Sequence, residues 1–333
     1  MKIDVKNLPS IVVAINILLA SIVGIFISKI DSLYRKYDLK IQSLEILQKD
    51  IVSYTEKFEK QYNATVAIYI KDMSTQYEVK INSEKLIPAA SIIKVPIMAA
   101  VYYLAEKGEL SLDEFLVYKK KHRCGGAGII KSYPYGTKFK IRELVELMIT
   151  ISDNIATHML IERVGLKRFN EIFKTLELKN TTVNRYVMDL NSRRNGIENY
   201  TTAEDIGYLL EKIYKGSLIS KRASAEMLWY LLQQKISDRL PKKLPPQTVV
   251  AHKTGLMRDL CHDVGIVYTH KGEFVICILV QSLYKRAAKN FIAEIAFKTY
   301  SVYNQTGDDN NRYESNTAYE HTDIISGSGT RNY

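Results

Sequence analysis

Three short stretches of this chain hold side chains whose types and spacing could do chemistry together. In Pro88-Ala89-Ala90-Ser91-Ile92-Ile93-Lys94, a helix beginning near Ser91 puts Lys94 on the same face, one turn from the hydroxyl. A serine hydroxyl is a weak nucleophile and needs a neighbouring base. A lysine can be that base if burial lowers its pKa enough to leave the amine neutral. The start of a helix also offers free backbone N–H groups that suit an oxyanion. Read alone, the S-x-x-K pattern fits equally well an N-cap serine beside a surface lysine.

The second stretch, Ser152-Asp153-Asn154, follows the apolar run 144–151. A hydroxyl and an amide projecting from a break between helices could relay a proton and hold a substrate amide; a polar inter-helix turn has the same look. The third, Lys253-Thr254-Gly255, closes an expected strand over 247–253. An edge strand can hold an extended peptide by backbone hydrogen bonds. Lys253 and Thr254 would then meet a substrate carboxylate, and Gly255 would let the chain approach closely.

The elements that must position these groups follow from periodicity. Residues 64–70 alternate and are β-branched, and 76–81 pair with them across a turn at 72–75. The pattern over 91–234 is mainly helical. Strands return at 247–253, 264–269 and 273–281, and a helix covers 287–303. Strands at both ends with helices between predict an α/β (α+β sandwich) fold: an antiparallel sheet flanked by helices, with an inserted all-helical subdomain.

Taken in order, with spacings of about 60 and about 100 residues, the three motifs resemble the signature of class A β-lactamases and penicillin-binding proteins, the serine D,D-peptidases. Gly136-Thr137-Lys138 leading through Ile141-Arg142-Glu143-Leu144 to Ser152, and on through Ile155-Ala156-Thr157 to Gly165, is similar to the corresponding class A segment nearly position for position. Residues 82–96 and Asp263-Val264-Gly265 are similar too, so the resemblance covers roughly 60–305. It implies a serine acyltransferase with Ser91 as nucleophile, Lys94 as its base and Ser152 as proton relay to the leaving nitrogen. It further implies that Asn154 binds the substrate's side-chain amide, that Lys253 and Thr254 bind its carboxylate, and that the N–H groups of Ser91 and Leu256 form the oxyanion hole.

The chain departs from that pattern in one informative place. Anchored on Arg185, Leu190 and Asn191, the position of the glutamate that activates the deacylating water falls on Val187. An isopropyl group can neither accept a proton nor orient water, so a long-lived acyl-enzyme is expected, as in a penicillin-binding protein. Asp189, two residues on, is a possible substitute. Tyr200 stands where the loop's clasping aspartate is expected, leaving Glu198 as the partner for Arg185. A carboxylate-binding arginine common in relatives is replaced by His262, with Arg258 nearby. Three readings follow: a D,D-peptidase-like enzyme acting on peptidoglycan stem peptides, a true β-lactamase, or a catalytically idle wall-sensing module.

Composition sets the remaining bounds. The chain has 333 residues, 46% hydrophobic and 25% charged, which are ordinary globular values. Its net charge of +11 is spread along the sequence without a basic block interleaved with aromatics, so nucleic acid is not an expected partner. Three scattered cysteines, Cys124, Cys261 and Cys277, make no disulfide framework, and neither His122 with Cys124 nor Cys261 with His262 has the spacing of a zinc site. No metal and no cofactor is expected.

The run from Ile11 to Ser28 is uncharged and long enough to span a bilayer. It lacks the cleavage signal of a secretory leader, so 1–29 reads first as a membrane anchor, with a removed signal segment and a secreted protein as the alternative. The expected organisation is that anchor, a helical stalk over 30–60, a catalytic domain over 61–305 on the extracytoplasmic face, and a disordered polar tail over 306–333.

Overall fold

A computed structural model describes residues 8–304. The chain begins with α1 (Leu8–Tyr62), then β1 (Thr65–Asp72), β2 (Glu78–Ile81), β3 (Ile87–Pro88) and α2 (Lys94–Glu106). The helical block carries β4 (Phe115–Val117), β5 (Lys138–Lys140), α3 (Ile141–Thr150), α4 (Asn154–Val164), α5 (Leu166–Thr175), α6 (Leu190–Arg194), β6 (Tyr200–Thr201), α7 (Ala203–Tyr214) and α8 (Lys221–Leu232). β7 (Val250–Leu256), β8 (Leu260–Thr269), β9 (Gly272–Gln281) and α9 (Lys285–Asn304) complete it.

β1, β2, β7, β8 and β9 form one antiparallel sheet in the order β2-β1-β9-β8-β7, leaving β7 at an edge. Side-chain alternation divides the core in two. Val66, Ile68 and Ile70 of β1, with Ile276, Ile278 and Val280 of β9, pack under α1 and α9. Ala67 and Tyr69, with Val275, Cys277 and Leu279, face α7 and the rest of the helical block. This is the expected antiparallel sheet with helices on both faces and a helical insertion.

Three boundaries differ from the sequence expectation. β7 runs on through Lys253-Thr254-Gly255 to Leu256 instead of stopping at Lys253. β8 starts at Leu260, four residues before Val264, because Cys261, His262 and Asp263 are fully buried in the ladder despite their polar character. The stalk over 30–60 is not a separate element. α1 is a single 55-residue helix, and Leu44, Leu47, Ile51 and Phe58 on its second half are buried against the sheet and α9. The expected tail over 306–333 lies outside the described residues.

Asp72 ties these layers together at one end of the sheet. One carboxylate oxygen accepts from the backbone and side chains of Ser74 and Thr75, closing the β1–β2 turn. The other meets Lys40 of α1 at 2.6 Å and the Tyr303 hydroxyl of α9. Burial pushes this carboxyl's pKa up, but the Lys40, Tyr303, Thr75 and Ser74 donors outweigh it and hold the pKa at about 2. Asp72→Ala should therefore lower unfolding stability by about 3 kcal/mol, read as a lower urea midpoint, because it strands the buried Tyr303 hydroxyl and takes from Lys40, Ser74 and Thr75 the acceptor they share.

Candidate active site

Ser91 lies in a single turn of 3-10 helix, Ala90–Ile93, that feeds directly into α2. Lys94, three residues on, caps that turn and opens α2, one turn along from Ser91. The preceding Ala90 has φ +44, and Ala89 is held by donating its N–H to Asn199 O at 2.8 Å. The Lys94 side chain is fully buried. Its amine donates to Ser152 O at 2.7 Å, Asn154 Oδ1 at 2.8 Å and Ser152 Oγ at 3.0 Å. Burial pulls its pKa down to about 7, against the opposing charge of Asp153.

The Ser152 motif is locked from two sides. Ser152 itself has φ +60. Asp153 caps α4, accepting from Ile155 and Ala156 N–H through one oxygen and from Ile129 and Ile130 N–H through the other. That second pair pins loop 125–130 over the site. Gly128 (φ +119) is required there, since a Cβ would fall 2.3 Å from the Asp153 carboxylate. Asn154 Oδ1 accepts from Lys94, and its Nδ2 donates to Gly125 O at 3.0 Å.

The third motif sits on the open edge. Val249 and Met257 bond to β8 through Tyr268 and Leu260, so odd-numbered residues of this strand face β8. By alternation, the backbone groups of Thr254 and Leu256 point away from the sheet. Lys253 is fully buried and donates to Thr254 O at 2.8 Å. Burial, and then the positive charges of Lys94 and Arg239, hold its pKa well below the ordinary lysine value, with Asp263 opposing. A Cβ on Gly255 would come within 3.3 Å of the His262 ring and of Ile92 and 3.4 Å of Ala90, so the Ser91 turn and His262 both close on this glycine.

Ser91, Ser152, Asn154, Thr254 and Leu256 all line one cavity of about 310 Å³, with Lys94 and Lys253 buried behind its wall. The fold thus brings together all eight positions singled out in the sequence. A larger depression of about 590 Å³ lies elsewhere, among Asp113, Glu114, Arg142 and Arg163, whose charges are paired with one another.

Val187 also lines the site cavity, and is buried. Its loop is clasped by Arg185, which pairs with Glu198 at 2.6 Å, both nearly inaccessible. Arg193 ties Glu198 to Asp259 on the β7–β8 turn. Asp189 caps α6 by accepting from Ser192 N–H and hydroxyl, so it is engaged away from the cavity. His262 is likewise no carboxylate ligand. It is fully buried, one ring nitrogen accepts from Val280 N–H and the other donates to Pro88 O, and burial lowers its pKa to about 4.

Two residues escaped the sequence reading. Arg239 is nearly fully buried yet lines the cavity, with Nε against Cys261 Sγ and Nη1 3.0 Å from Asp238. It comes from an irregular stretch where no periodicity marks an inward residue. His158 on α4 donates to Val187 O at 2.6 Å and holds the loop down; its place four residues after Asn154, on the same helix face, was the available signal.

Comparison with known proteins agrees with this geometry. The model of the beta-lactamase enzyme family matches residues 48–305. The chain is 25% identical over 269 residues to beta-lactamase VEB-1 of Pseudomonas aeruginosa, covering 74% of this chain and 88% of that protein. It superposes with a TM-score of 0.73 at 27% identity on a mutant of PBP-A solved as an acyl-enzyme complex with penicillin G, covering 79% of this chain and 98% of that one. For a beta-lactamase from Sphaerobacter thermophilus the TM-score is 0.71 at 25% identity, covering 76% and 97%. With the family match starting inside the packed half of α1 and ending one residue past α9, the chain belongs to the beta-lactamase enzyme family and is a serine hydrolase.

Proposed function

We propose that the cleft forms an acyl-enzyme on Ser91 and releases it slowly, as a penicillin-binding, D,D-peptidase-like enzyme does. The observation that carries this reading is the Lys94 amine, fully buried one 3-10 turn below Ser91 and bonded to Ser152 and Asn154. Ser91 Oγ attacks the carbonyl carbon of a β-lactam or stem-peptide amide while its proton passes to Lys94 Nζ. The oxyanion forms against the N–H groups of Ser91 and Leu256. Ser152 Oγ gives its own proton to the leaving nitrogen and takes one from Lys94 Nζ in return, and the C–N bond breaks. Asn154 holds the substrate's side-chain amide, Lys253 and Thr254 its carboxylate, and Arg239 adds a buried positive charge on the same wall.

Deacylation needs a base for water, and Val187 supplies none. General-base help is typically worth about 10²–10⁴-fold, so the acyl-enzyme should persist. A second reading is a true β-lactamase, favoured by curated relatives that bear that name. The apolar start of α1, the single helix among the described residues long and apolar enough to cross a membrane, supports residues 1–29 as an anchor, with the catalytic part on the extracytoplasmic side.

A fluorescent penicillin followed on denaturing gels tests the proposal. A label that lasts many minutes on the wild type and is absent from folded Ser91→Ala supports it. Rapid nitrocefin turnover without a lasting label favours the β-lactamase instead, and no label on well-folded wild type removes both. Val187→Glu should speed loss of the label at least about tenfold, within the range general-base help provides; unchanged loss would mean that Val187 is not at the deacylating position. The acylation rate should fall about tenfold for each pH unit below about 7 and level off above it, since protonated Lys94 cannot take the Ser91 proton. A rate flat between pH 5 and pH 8 would exclude Lys94 as the base.

A further inference from the structure

We propose that α1 is a rigid spacer that holds the catalytic cleft roughly 40–50 Å above the membrane surface, out of reach of peptides carried at the lipid headgroups. The proposal rests on reading residues 1–29 as the anchor. From Ile25 to Tyr62 the helix contains neither glycine nor proline, so no residue type that commonly kinks a helix interrupts it. The uncharged run ends at Ser28, and the first contacts with the catalytic part come from Tyr37, whose hydroxyl donates to Thr75 O at 3.3 Å, and Lys40, paired with Asp72. Both lie at the sheet end made by the β1–β2 turn.

Beyond Lys40 the helix runs the length of the sheet, burying Leu44, Leu47, Ile51 and Phe58. It finishes at Tyr62, whose carbonyl accepts from Ser282; the Ser282 N–H donates in turn to Asp259 O, on the turn that follows Leu256 at the cavity. The helix therefore enters at the end far from the cleft and stops level with it. At about 1.5 Å per residue, Lys29 to Lys40 spans roughly 17 Å and Lys40 to Tyr62 roughly 33 Å. Upright, the cleft stands roughly 50 Å above the hydrocarbon edge that Lys29 marks, and a tilt of up to about 40° brings this to roughly 40 Å. A hinge is what a cleft working at the bilayer would need, and the segment between membrane and domain is instead unbroken helix. The substrates it can meet are diffusing small molecules and peptides held in polymer away from the lipid.

The test places a maleimide donor dye on Leu283→Cys, which is exposed beside Ser282, in a Cys124→Ser background of the full chain. The protein is reconstituted in phosphatidylcholine–phosphatidylglycerol vesicles carrying acceptor-labelled lipid. Energy transfer should report roughly 40–50 Å between dye and surface. Deleting residues 30–36 removes about two turns and roughly 10 Å while nearly preserving the helix face. It should shorten the distance by that amount and leave the rate of penicillin acylation unchanged. A dye within about 25 Å of the lipid, or a distance indifferent to the deletion, overturns the spacer. A chain that does not float with the vesicles overturns the anchor reading and the spacer with it. Because the dye does not depend on Ser91 chemistry, loss of acylation is scored separately.

Discussion

The amine of Lys94 is completely enclosed, and its three hydrogen-bond acceptors are two oxygens of Ser152 and one of Asn154. Burying an unpaired ammonium costs several kcal/mol, and the balance here is met by a pKa near neutrality. That enclosure makes large demands on the rest of the molecule. Ile92, Ile93, Val95, Ile97 and Met98 around Lys94 are all fully buried, so the start of α2 must run through the centre of the larger core. Loop 125–130 must close over the top, which is why Asp153 spends one carboxylate oxygen on that loop and the other on the cap of α4.

The remaining groups come from elements with different mechanical roles. The sheet edge is stiff, and its alternation aims the Thr254 and Leu256 backbone groups outward. The Ser91 turn lies so close to Gly255 of that edge that a Cβ there would meet Ile92 at 3.3 Å and Ala90 at 3.4 Å. The loop carrying Val187 is held by polar contacts: Arg185 with Glu198, Arg193 with Asp259, and His158 with the Val187 carbonyl. A larger side chain at Val187 would project into the cavity from a tethered backbone, apart from the elements that carry Ser91 and Ser152.

Much of this was legible in the sequence because the relevant signals are local. Hydrophobic alternation located β1, β2 and β9, and the i, i+3 spacing of Ser91 and Lys94 placed them together. Long-range pairing overrode local character elsewhere. The sequence pattern starts this strand at Val264, yet the ladder between β7 and β9 keeps β8 going through Cys261, His262 and Asp263. The stalk was separated from the domain because its charges mask the inward stripe of Leu44, Leu47, Ile51 and Phe58. Arg239 gave no signal at all, since an arginine in an irregular segment reads as a solvated charge until the fold buries it. The Arg185–Glu198 pair replaces the expected clasp, as the presence of Tyr200 at the aspartate's place and of Glu198 two residues before it suggests, and Tyr200 lies in β6 beside Pro88.

The central claim is that the fold keeps the Lys94 amine neutral enough to take a proton from Ser91. It is tested most directly by titrating the lysine side-chain carbons adjacent to nitrogen by NMR in ¹³C-labelled protein, with Lys94→Arg used to assign the signal. The account predicts one lysine resonance with a midpoint near pH 7 that disappears in Lys94→Arg. A Lys94 signal titrating with the surface lysines, above pH 10, would contradict it.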